Sequence, residues 1–296
     1  ATALPPEPGV LLDLIEEFGE GYSVKTTDHW FIVFRAREDF VEQTARTLER
    51  TRTVFLEQFG EMGFSLEPPR HRLICVLIGD HDEFVEYVRS TTGREPRAGG
   101  FYSSRTNRIT FFDNRTKSGQ RSGPGDDAMS RNISKSAHEA AHQLAFNCGV
   151  QTPGAGYPTW VGEGLASNFE PRSLEDEFGP LGARPSNRLR SLEAMRRRGA
   201  LLSIEELVQM RRGGEEGSTG VLYAQGAALF RFLSQEKPEE LVRYMGLLAR
   251  QPSGRRRPSD LTAAFVDAFG PIEAFDPPWQ QYLEELLEKG GSSSDR

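Results

Sequence analysis

The chain has 296 residues, 37% of them hydrophobic, with a mean hydropathy of -0.53 and a formal net charge of -7 at pH 7. No stretch approaches the ~18–20 apolar residues that a membrane-spanning helix requires. The acidic balance argues against a nucleic-acid partner. Two cysteines, Cys75 and Cys148, stand far from metal-ligand spacing and read as buried thiols, with a disulfide between them open only to an exported protein.

In chain order, the Pro-rich opening makes residues 1–25 a flexible segment. Residues 26–125 alternate strand and helix: Trp30–Phe34 as a strand, Phe40–Phe59 as an amphipathic helix, Arg72–Ile78 as a strand and Asp82–Val88 as a short helix. Gly100–Tyr102 and Arg108–Phe112 then read as two strands around a turn at Ser104–Asn107. Asn114–Gly125 is polar and Gly-rich, as a mobile flap would be.

Residues 126–289 read as helical. Asp126–Asn147 has no Pro or Gly, and Met129, Ile133, Ala137, Ala141, Leu144 and Ala145 form one apolar stripe, with Gly149 placed as a C-terminal cap. Thr159–Glu170 is a short helix between Pro158 and Pro171. Leu201–Arg212 carries a capping box, Ser203 with Glu206. Residues 222–235, 238–250, 258–269 and 277–288 are further helices, and 290–296 is a flexible tail. The clusters Arg196–Arg198 and Arg255–Arg257 are solvated surface. The chain starts at Ala1 rather than Met, as it would after removal of a leader or a tag; a leader would make the protein extracytoplasmic or secreted.

His138-Glu139-Ala140-Ala141-His142 is the most informative stretch. Residues four apart on a helix share a face, so both imidazoles reach one metal ion. Glu139, one step round, addresses a water without ligating. A catalytic zinc site has three protein ligands, and the third must come from another element. Glu163 is the candidate: it lies between Gly162 and Gly164, which let another helix approach closely, and beside Trp160 and Leu165. The competing readings are a half-buried helix with two hydrogen-bonded histidines, and a surface glutamate.

HEAAH followed by WxxEGxA resembles the gluzincin branch of zinc metallopeptidases, and within it the peptidase-MA-like group of largely uncharacterised bacterial proteins. The segments that carry the resemblance are GGFYSSRTNRITFFD (99–113), HEAAHQLAFNCG (138–149), PTWVGEGLASNFE (158–170), LYAQGAALFRFL (222–233) and FDPPWQQYL (275–283). The resemblance implies an α+β, zincin-like fold: a sheet lobe, a helical lobe and a cleft between them. It implies Zn²⁺ held by His138, His142 and Glu163, with Glu139 as general base and Tyr223 donating to the oxyanion, although Gln225 stands where Lys is more usual. An edge strand of the 100–112 hairpin would take the substrate backbone. Ser167, Asn168 and Glu170 are candidates to support the histidines.

The expected activity is hydrolysis of a peptide or protein substrate. Gly99–Ser103 lacks the glutamate of the aminopeptidase pattern GxMEN, which favours an endopeptidase or a specialised substrate. An inactive zincin-fold binding or scaffold protein, and a zinc amidase acting on cell-wall or other amides, are the alternatives.

Overall fold

A computed structural model describes residues 3–93, 95–96, 98–116, 128–182, 186–210, 218–251 and 257–291. The chain divides into two compact units: Ala1–Leu56 with Glu67–Cys148 and Glu170–Asp176, and Glu57–Leu66 with Gly149–Phe169 and Glu177–Arg296.

The first unit holds a five-stranded mixed sheet built from β1 (Ser23–Thr26), β2 (Trp30–Arg35), β3 (Leu73–Ile78), β4 (Gly100–Ser103) and β5 (Arg108–Phe112), in the order β1-β2-β3-β5-β4. β2, β3 and β5 run parallel, while β1 and β4 pair antiparallel at the two edges. The central strands WFIVFR and LICVLI are nearly continuous apolar runs because both faces are covered.

Period-2 alternation divides their side chains between those faces. Phe31, Val33, Ile74, Val76, Ile78 and Phe112 meet α1 (Pro8–Phe18) and α3 (His81–Thr92) through Leu14, Phe18, Phe84 and Val88. Trp30 and Phe111 point to the other face, where Trp30 bonds to α4 (Ala128–Asn147) and Phe111 packs against Phe40 of α2 (Glu38–Glu61). α3 is capped by Asp80, which accepts from the amides of Asp82 and Glu83, and by Gly93 in the left-handed conformation.

The segment expected to be flexible, residues 1–25, contains α1 and the first residues of β1. Its order comes from contacts that a local reading does not see. Arg72 bonds to the carbonyls of Leu4, Pro5 and Thr27, and Glu7 accepts from the amide of Arg72. The expected flap falls partly outside the described residues; within them, Asn114–Thr116 forms a 3₁₀ turn.

The second unit is helical: α5 (Thr159–Ser167), α6 (Ser186–Arg197), α7 (Ile204–Gln209), α8 (Ser218–Glu236), α9 (Pro238–Arg250), α10 (Pro258–Phe269) and α11 (Ile272–Gly291). The Ser203–Glu206 capping box opens α7 as expected. α6 carries Leu189, Leu192 and Met195 at helical spacing, a stripe the sequence analysis did not read. α11 begins at Ile272 rather than 277 and carries Pro277 and Pro278 inside it. Phe275 and Trp279, one turn apart, both pack on Phe232, so tertiary packing offsets the backbone bonds that the prolines remove. The α+β class is as expected: a mixed sheet in the N-terminal region and helices after it. Among the described residues, no helix is long and apolar enough to cross a membrane. Cys75 and Cys148 are free and buried; burial pushes both thiols up, Cys148 to about 12.

Candidate metal centre

α4 carries the HExxH residues, and polar side chains fix it to the sheet. Trp30 Nε1 donates to Gln143 Oε1 at 3.0 Å, and Gln143 Nε2 donates to the carbonyls of Ile74 (3.1 Å) and Asn107 (2.8 Å). Near the N-terminus of α4, Asn132 accepts from Asn114 and donates to Asp113 at 2.8 Å. These bonds set both the rotation of the helix and its position along its axis, which the apolar stripe alone leaves loose.

His138 and His142 face each other edge to face, with ring centroids 4.9 Å apart. His138 and Glu139 are buried, and His142 is half-buried. His138 Nδ1 lies 2.8 Å from Glu170 Oε1, and both residues are buried. With Glu170 ionised and His138 neutral, Nδ1 would donate to the carboxylate and leave the Nε2 lone pair for a metal. Of the three candidate supporting residues, Glu170 is therefore the one that reaches a histidine. Asn168 instead bridges two helices, donating to the carbonyls of Gly164 (2.8 Å) and Ala227 (3.0 Å). Ser167 Oγ is buried with no hydrogen-bond partner among the described residues.

α5 carries Glu163, and α5 packs on α8 by close backbone approach. A Cβ on Gly164 would stand 2.4 Å from the Gly226 carbonyl oxygen, so glycine is what this contact requires. Trp160 anchors the start of α5, stacked on Tyr244 at 5.9 Å. Tyr223 lies on α8 one turn before Gly226; it is half-buried, and the Arg188 guanidinium lies 4.8 Å from its ring centroid. The sequence gives no sign of that cation–π partner, because a contact between residues far apart in the chain leaves no local pattern. Gln225, the departure from the more usual Lys, is buried and clamps the backbone of Leu202 through both ends of its amide, at 3.0 and 2.7 Å. Its role is to dock the approach to α7.

His138, His142 and Glu163 are brought together: each offers one ligand atom, and these atoms lie within 4.8 Å of one another. Glu139 follows His138 in the chain, and Tyr223 lies on α8. Two imidazoles and one carboxylate at this separation could hold a metal ion.

Residues 132–253 match the model of a family described as a protein of unknown function, DUF1570. That span includes His138, Glu139, His142, Glu163 and Tyr223. No curated protein matches the chain.

Proposed function

We propose that this chain is a zinc-dependent metallopeptidase of gluzincin type, cleaving internal bonds of a peptide or protein substrate. The observation that carries the reading is the convergence of His138, His142 and Glu163. His138, held by Glu170, and His142 and Glu163 would be the zinc ligands. Zinc, when bound, supplies Lewis acidity, lowering the pKa of a water to about 7 and polarising the scissile carbonyl.

The chain's own groups do the rest. Glu139 takes a proton from the attacking water and returns it to the leaving amine. Tyr223 donates a neutral hydrogen bond to the oxyanion as it develops, a contribution worth about 3 kcal/mol in sites of this kind. The substrate backbone adds as an extra strand at β4, an edge of the five-stranded sheet that packs on α4 in the same unit.

Metal content measured by mass spectrometry tests the reading, together with peptide turnover. Wild type should hold about one zinc per chain, and His142→Ala should lose it. Glu139→Gln should keep the zinc and lower kcat by about 10²–10⁴. No zinc in wild type after incubation with the metal, or full activity in Glu139→Gln, would overturn the assignment.

A further inference from the structure

α1 closes one face of the sheet through Leu14 and Phe18, and it carries a second apolar surface that the sheet does not use. Among the described residues, the large hydrophobics left exposed are Val10 (38%), Leu12 (65%) and Ile15 (51%), all on this helix. Leu12 and Ile15 are three apart and share a stripe, which exposed Pro8 extends one turn earlier. Half-buried Leu11 joins that stripe to the core. A helix that had only to cover the sheet would be polar at Leu12 and Ile15.

Charge says what would cover the stripe. α1 has no Lys or Arg. Arg108 is taken up by Glu17, and Arg72 by Glu7 at the start of the helix. Asp13, Glu16 and Glu20 are exposed and make no ion pair among the described residues. Glu16 lies one turn after Leu12, and Asp13 three residues before Glu16, so these carboxylates line the solvent side of the stripe.

We propose that the Leu12–Ile15 stripe docks an amphipathic helical segment of another protein, about three turns long, whose apolar face is flanked by Lys or Arg. Its apolar residues would cover Leu12 and Ile15, and its bases would meet Asp13 and Glu16. A second copy of this chain fits worse, because a two-fold pairing of α1 sets the same carboxylates against each other. A bilayer surface also fits worse, since helices that lie on anionic membranes carry Lys and Arg where α1 carries Asp and Glu. Within the first unit, α1 lies on the sheet face opposite α4, so the docked segment leaves the histidine-bearing helix uncovered. The proposal does not depend on the metallopeptidase reading.

The test uses the full chain and a fluorescein-labelled synthetic helix with leucines at helical spacing and lysines beside them, read by anisotropy. A counterpart with glutamates in place of the lysines, and a scrambled peptide of the same composition, are the controls. The lysine peptide should bind about tenfold more tightly than either control, and more weakly as salt is added. Leu12→Ser combined with Ile15→Ser should weaken it about tenfold. Asp13→Lys combined with Glu16→Lys should remove the preference for lysine over glutamate. All four side chains are exposed, so both variants should melt with wild type; the charge variant leaves the apolar stripe intact and tests the proposal by itself.

No binding of the lysine peptide, equal binding of the lysine and glutamate peptides, or binding unchanged in both variants overturns the proposal. Self-association of wild type that is lost in the double serine variant also overturns it and makes the occupant a second copy. Co-sedimentation with phosphatidylcholine–phosphatidylserine vesicles, lost in the same variant, overturns it in favour of a bilayer.

Discussion

α4 of the first unit and α5 of the second are positioned by different physics. α4 is held by directional bonds: Gln143 alone links Trp30, Ile74 and Asn107, and Asn132 joins the helix to Asp113 and Asn114 at the end of β5. α5 is held by shape: Gly164 lies against the Gly226 backbone, and Asn168 closes the same contact with two bonds to carbonyls. The contrast follows from the neighbours. A sheet face offers strand-end carbonyls and an indole N–H that need partners, whereas a facing helix has already satisfied its own backbone and offers mainly a surface to fit.

The contrast predicts different failures. The largest effect is expected at Gly164, where an added methyl meets backbone that has little room to yield. Gly164→Ala should cost about 3 kcal/mol in urea denaturation, the upper part of the range for overpacking. Gly226→Ala should cost less, because its Cβ would meet Trp160 at 3.3 Å or more. Equal costs at the two positions would break the shape argument.

Next comes Gln143→Leu, which preserves bulk and removes polarity, leaving the Trp30 N–H and two carbonyls without this partner. A loss of about 2 kcal/mol is expected. A neutral result would mean that apolar packing alone places α4.

The smallest effect concerns acid. Burial would raise the Asp113 carboxyl, but hydrogen bonds from Arg115 and Asn132 outweigh it and hold the group below its ordinary value. Its contribution is therefore fully present above about pH 4 and is lost as the pH falls through the lowered folded value. Thermal melting of Asp113→Asn should accordingly show a shallower decline in this acid range than wild type. Parallel curves would remove Asp113 from the anchoring of α4.

Local chemistry made part of this legible. The HExxH spacing, the apolar stripe of α4, the Ser203 capping box and the apolar runs of β2 and β3 are signals carried within a few residues, and each corresponds to an element at that place. The glycines beside Glu163 announced a close helix approach, although only the fold assigns Gly164 to that contact and Gly226 as its partner.

The prolines at 277 and 278 misled, because their cost is local while the compensation comes from Phe232. Residues 1–25 misled for the same reason: Arg72, far along the chain, supplies the bonds that order the opening. Glu170 was one of three equivalent candidates in the sequence, and the direction of a single side chain chose it.

The sequence by itself marked His138, His142 and Glu163 as candidate ligands and most of the strands and helices, because periodicity and residue chemistry are written along the chain. The tertiary structure alone decided which strands lie at the sheet edges and which carboxylate reaches His138. Those depend on distances between residues remote in sequence, and pairwise contact leaves no trace in local pattern.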